Sequence, residues 1–161
     1  MEDDGQPRPP KRPRKTALIT AVDILARQEQ SEKKLREKLG RKGYSPEEIQ
    51  TAIDRLIEKH YLNDADACAR QFEFLYQESR SSIRQISIKL MQRGFDSALI
   101  KDCIPTDTFE REKAAALRVL AMKFKPSADR QKMMANLYSK GFDSSAIRAA
   151  VEEFMAEEEQ E

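Results

Sequence analysis

The segment LREKLGRKGYSPEEIQTAI, residues 35–53, decides how the chain is read. Leu35 and Leu39 stand at i and i+4 on one face of a helix, and Lys42 then precedes Gly43. A cation suits the negative end of a helix dipole, and Gly adopts the left-handed conformation that ends a helix at little cost. Tyr44 follows, placed to pack back on the helix just left. Ser45-Pro46-Glu47-Glu48 reads as a capping box with Pro at the first helical position, and Ile49 opens a second apolar stripe. Taken alone, the segment looks like the turn of a helix-turn-helix reader of DNA.

Two further copies change that reading. ISIKLMQRGFDSALIKDCI (86–104) and MMANLYSKGFDSSAIRAAV (133–151) align with it without a gap. Gly94 and Gly141 repeat Gly43, Phe95 and Phe142 repeat Tyr44, and Asp96 and Asp143 stand at the N-cap position of Ser45. Four residues before each leading apolar position are Ser31, Ser82 and Asp129, also N-cap types, and Ser82 with Gln85 makes another capping box.

Upstream of each pair lies a helix-length segment, at 16–28, 64–79 and 109–124. Leu18, Ala21, Val22 and Leu25 follow the helical period in the first. Ala69, Phe72, Leu75 and Tyr76 do so in the second, and Leu117, Leu120, Ala121 and Phe124 in the third. The expected fold is all-α: three tandem three-helix, helix-turn-helix-like repeats forming an elongated, curved array. The expected units are 16–62, 63–106 and 107–156, between a disordered basic, Pro-rich arm at 1–15 and an acidic tail at 157–161.

Composition agrees. A hydrophobic fraction of 39% over 161 residues is enough for cores spread among helices, while 35% charged residues, 5 Gly and no Trp favour helices with solvated faces. No apolar run is long enough for a membrane span, and MEDDGQPRPPKRPRK lacks a signal peptide's apolar stretch, so a cytoplasmic location is expected. Cys68 and Cys103, with no Cys or His at ligand spacing, read as reduced core residues.

Serial order makes the match to a known family specific. ILARQEQSEKKLREKLGRKGYSPEEI, then HYLNDADACARQF, then SIRQISIKLMQRGF closely resembles the RecX family of recombination regulators, from residue 17 to about 155. The chain departs from the family pattern at Leu62-Asn63-Asp64-Ala65 and in the Arg80-Ser81-Ser82 turn, both with capping chemistry preserved. The resemblance implies a non-enzymatic modulator of the RecA recombinase. Such a protein would lie in the helical groove of the RecA filament on single-stranded DNA and inhibit ATP hydrolysis, strand exchange and coprotease activity. The implied partners are the RecA filament and single-stranded DNA, directly or through RecA, with a monomer expected and no membrane.

The residues themselves point to no catalytic centre, metal or cofactor. The single histidine, His60, ends a helical segment beside Tyr61, where it either bonds the last carbonyls or is solvated. Binding is a matter of cations. Lys33, Lys34, Arg36, Lys38, Arg41 and Lys42 crowd the first helix pair. Arg80, Arg84, Lys89 and Arg93 follow in the second unit, and Lys123, Lys125, Arg130, Lys132 and Lys140 in the third. In register they would form a positive stripe for phosphates or an acidic groove; otherwise they balance neighbours such as Glu32 and Glu37 on ordinary helix surfaces. Tyr44, Phe95 and Phe142 read as turn-packing residues rather than base-stacking platforms. A stand-alone DNA-binding helix-turn-helix protein and a helical-repeat adaptor are the alternatives. Against the former, the second helices offer few side chains for base edges.

Overall fold

The computed structural model of the chain describes Gly5 and residues 14–159. Among these residues the regular structure is nine α-helices without a strand: α1 (Ala17–Arg27), α2 (Glu32–Arg41), α3 (Pro46–Glu58), α4 (Asp64–Glu78), α5 (Ile83–Gln92), α6 (Ser97–Cys103), α7 (Phe109–Lys123), α8 (Arg130–Ser139) and α9 (Ser144–Glu159). They pack in threes. Helices α1–α3 close over Leu35, Leu39, Ile53 and Leu56, α4–α6 over Cys68, Phe72, Ile86 and Leu90, and α7–α9 over Leu120, Met133, Leu137 and Val151. Each of these side chains other than that of Cys68, removed from water, contributes about 1.5–3 kcal/mol. Each triplet therefore has its own core.

The turn expected from the sequence occurs three times with one hydrogen-bond pattern. Tyr44 N donates to Leu39 O at 3.3 Å and Gly43 N to Gly40 O at 2.9 Å, and Phe95 to Leu90 with Gly94 to Met91, and Phe142 to Leu137 with Gly141 to Tyr138, repeat it. This pair of bonds needs a left-handed residue at its centre, supplied by Gly43 (φ +87°), Gly94 (φ +93°) and Gly141 (φ +89°). The aromatics that follow are buried in their own cores, as packing residues.

The starts are secured by the expected residues, with one exception. Ser45 accepts from Glu48 N at 3.1 Å while Glu48 Oε2 accepts from Ser45 N at 2.8 Å, and Ser82 with Gln85 repeats that box. Asp143 accepts from Ala146 N at 2.9 Å, but Asp96 makes no side-chain cap for the seven-residue α6.

Several expectations are corrected. Val22, Ala69 and Ala121, placed on buried stripes by the period, are exposed, because the true contact lines run through Ala17 and Ala21, through Ala67, Cys68 and Phe72, and through Ala115, Ala116 and Val119. Small residues let the first helix of each triplet approach closely. Helix α9 runs to Glu159, so the expected acidic tail is helical at residues 157–159. Of the expected disordered arm, residues 1–4 and 6–13 lie outside the described residues. Arg14 and Lys15 are placed against the first triplet: Lys15 Nζ lies 2.9 Å from Asp23 Oδ2, and the Arg14 guanidinium lies 4.0 Å from the Tyr44 ring centroid.

Candidate interaction surface

The joints between triplets bring charged groups together. Ser31, the cap of α2, donates from Oγ to Arg93 O at 2.6 Å, in the turn that ends α5. Ser82, the cap of α5, donates to Lys140 O, also at 2.6 Å, in the turn that ends α8. Each serine still accepts from the amide three residues on, so one hydroxyl starts a helix and docks the next unit. Glycine makes the approach possible. A methyl on Gly94 would fall on the Ser31 hydroxyl, and one on Gly141 would stand 2.8 Å from Arg84 Cδ. In the first unit the corresponding carbonyl, Lys42 O, accepts from the Arg14 guanidinium.

Carboxylates complete both joints. Asp64, in the Tyr61–Asp64 junction, accepts from Glu32 N at 2.9 Å, and Glu112 accepts from Ile83 N at 3.3 Å. Both amides are first-turn donors that a helix cannot satisfy itself. Burial raises the pKa of Asp64 above the ordinary aspartate value, against the pull of the Glu32 amide. Burial likewise raises that of Glu112, against Arg111 and the Ile83 amide. Arg111 carries most of the second joint. It donates to Tyr76 O at 2.9 Å and Ser81 O at 2.6 Å, reaches Leu75 O and Ser79 O, and pairs with Glu112 at 2.7 Å. The first joint has instead a more exposed link, Glu29 to Arg70 and Gln71. Burial works to raise the Glu29 pKa, and the hydrogen bonds from Arg70 and Gln71 outweigh it, leaving the value lowered.

The cations singled out in the sequence divide by these joints. Lys33 and Lys34 lie against Gly94, and Lys34, Lys38 and Arg93 line a cleft of about 440 Å³ with Glu29, Gln71 and Phe95. Arg36 pairs with Glu32 at 2.9 Å, while Lys34 and Arg41 share Glu37 at 3.4 and 3.8 Å. Arg93 donates to Gln71 at 2.8 Å, and Lys42 is exposed. At the second joint Arg84 lies across Gly141. Lys140 there has its pKa lowered by burial, then by Lys123 and Arg80. Lys89 and Lys132 are exposed on α5 and α8, apart from these contacts. A larger hollow of about 710 Å³ belongs to the first unit alone, lined by Ala17, Leu18, Tyr44 and Ala52.

Sequence reasoning missed the joint residues Ser31, Ser82, Asp64, Arg111 and Glu112 as contacts between units. Their only signal was that Ser recurs where the third unit has Asp129. Cys68 and Cys103, read as reduced core residues, are both free thiols of the second core, Cys68 buried in it and the half-buried Cys103 packed against it. Burial pushes the Cys68 thiol up to about 12, with Cys103 beside it adding to the rise. His60 stops α3 with φ +62° and is exposed. Among the described residues, no group of three or more His, Cys, Asp or Glu could hold a metal ion, and no helix is long and apolar enough to cross a membrane.

These features define a tandem array of three-helix units whose polar chemistry is concentrated at the joints between them. Known proteins share the fold. The family model described as RecX, first three-helix domain, matches residues 17–56. The regulatory protein RecX of Neisseria meningitidis serogroup A is 32% identical over 148 residues, spanning 87% of this chain and 92% of the relative. That of Clostridium botulinum strain Alaska E43 is 35% identical over 144 residues, 84% of this chain and 66% of the relative. The crystal structure of RecX from Lactobacillus salivarius superposes with a TM-score of 0.75 at 19% identity, over 86% of this chain and 94% of that one. A second structure, of a regulatory protein RecX, gives 0.74 at 21% identity over 84% and 71%. At these identities the structures carry the fold, and the sequence relatives carry the kinship. The chain belongs to the RecX family of regulatory proteins.

Proposed function

We propose that the protein regulates the RecA recombinase as a cytoplasmic monomer, binding the RecA filament on single-stranded DNA along its helical groove. Bound there, it inhibits ATP hydrolysis, strand exchange and coprotease activity. The supporting observation is the tandem array itself. Three units held by similar hydrogen-bonded joints offer charged groups at intervals, and a helical polymer offers its own subunits at intervals. Exposed cations such as Lys33, Lys89 and Lys132 would meet the acidic or phosphate surface of the filament, and that attraction would weaken with salt. A duplex-reading role fits less well. Gln50, one of the few base-reading side chains on α3, is tied to Arg36 and Asp54, and the exposed end of α9 carries Glu152, Glu153, Glu157 and Glu158.

The experiment is a titration of the protein into RecA hydrolysing ATP on single-stranded DNA. Suppression at ratios well below one protein per RecA subunit is expected. Unchanged hydrolysis at every ratio, with folded protein and the cognate RecA, would remove the reading.

A further inference from the structure

We propose that the joint between the second and third units is a phosphate seat for a single strand of nucleic acid, formed by Arg80, Arg84, Lys123 and Lys140. The four side chains come from separate parts of the fold. Arg80 lies in the link between α4 and α5, Arg84 in the first turn of α5, Lys123 at the end of α7 and Lys140 at the cap of α8. The backbone holds them together. The Ser82 hydroxyl fixes Lys140 O at 2.6 Å, and Gly141 leaves room for the Arg84 stem, whose Cδ and Cβ would lie 2.8 and 3.0 Å from a methyl placed there. Lys123 and Arg80 bear directly on the half-buried Lys140, whose ammonium is less basic than usual through burial and then through these two neighbours.

Beside the Arg111–Glu112 pair of this joint, these four cations have no carboxylate of their own among the described residues. Among those residues, none of the four stands within ion-pair distance of a carboxylate, whereas Lys34, Arg36, Arg41 and Arg70 in the first unit and first joint pair with Glu37, Glu32 and Glu29. Crowding like charges costs folding free energy that an anionic ligand recovers on binding. A phosphodiester chain suits the set: its oxygens match the guanidinium fork, its charges recur along the strand, and ammonium groups act on them as point charges. Unlike a uniform stripe along the array, this is one discrete seat. The inference rests on the filament reading for the presence of the strand, but direct binding tests it without RecA.

The test uses the full chain and a labelled oligodeoxythymidine, with affinity read by fluorescence anisotropy across a salt series. Removing one cation that neutralises a phosphate should flatten the slope of log K against log salt by about 0.7 for a single strand. The Lys123→Gln/Lys140→Gln variant is therefore expected to lose about 1.4 of slope, and Lys123→Arg/Lys140→Arg to keep it. Arg55→Gln/Lys59→Gln, both exposed at the end of α3 in the first unit and outside the candidate cations, should leave the slope close to that of the parent protein. Circular dichroism checks that each variant is folded. Absence of oligonucleotide binding at low salt, an unchanged slope in the Gln variant, an equal loss in the remote control, or equally strong competition by polyglutamate would each overturn the seat. The same proteins in the RecA assay keep the two readings apart: suppression with an unchanged slope removes the seat alone, and a changed slope without suppression by the parent protein removes the filament reading alone.

Discussion

Ser82 is fully buried, accepts from Gln85 N at 3.1 Å and donates to Lys140 O at 2.6 Å. A carboxylate could do the first task but not the second, since it has no proton to offer a carbonyl. That difference explains the third unit. Asp129 caps α8 through Gln131 N and Lys132 N at 2.8 and 3.2 Å, exposed, with no fourth unit docked on it among the described residues. The glycines can be told apart in the same way. Gly43→Ala and Gly94→Ala both force a side chain into the left-handed region, at about 1–2 kcal/mol. At Gly43 the methyl meets only the far end of Arg14, at 3.4 Å, whereas at Gly94 it displaces the Ser31 hydroxyl. Gly94→Ala should therefore cost about 1 kcal/mol more than Gly43→Ala in urea unfolding. Equal losses would mean that the Ser31 bond adds nothing to stability.

At the scale of elements, matching caps in the sequence need not make matching helices. Asp143 holds the start of α9, accepting from Ser145 Oγ at 2.6 Å and Ala146 N at 2.9 Å, while the aligned Asp96 leaves α6 without a side-chain cap. The Ser145 hydroxyl and then the Ala146 amide hold the Asp143 carboxyl below its ordinary 3.8. A depressed folded value stabilises above the unfolded pKa, and that stability is lost as pH falls through the folded one. Asp143→Ala should thus cost about 1 kcal/mol at neutral pH, shrinking as the medium is acidified below about pH 3.8, and Asp96→Ala should cost only a few tenths at any pH. Chemical denaturation of both variants at pH 7 and pH 3 measures this; an equal cost for the two would contradict it. The helices and their turns were legible because apolar period, Gly and capping residues act within a few positions of one another. The inward line of α7 was not, since Ala115 and Ala116 each carry too little apolar surface to outweigh Leu117, which draws a periodic count toward the exposed Ala121. The candidate site was legible only as a set of cations. The pairs of Lys34, Arg36 and Arg41 with Glu37 and Glu32 lie within a turn of helix, but the contacts of Arg93 with Gln71 and of Arg84 with Gly141 join residues far apart in the chain, where no local pattern announces them.

Across the whole molecule, stability in a tandem array is the sum of each unit's own core and the interfaces between neighbours. The cores are separate here, so the joints decide whether the chain unfolds as one body. The second joint depends on one side chain. Arg111 donates to four carbonyls at the end of α4 and in the link after it, lies 4.9 Å from the Tyr76 ring centroid, and neutralises Glu112, a carboxylate 4% exposed. Replacing Arg111 with Leu strands Glu112 without a counter-charge and leaves those carbonyls without their donor, a loss of about 3–5 kcal/mol. Because that energy couples α7–α9 to α4–α6 rather than filling either core, the loss should appear as reduced cooperativity. The Arg111→Leu protein is expected to unfold in urea in two steps where the parent unfolds in one, with near-native helix content at neutral pH. A single transition at the parent's midpoint would show that the third unit is held by its apolar contacts alone, and that Arg111 serves only to close the end of α4.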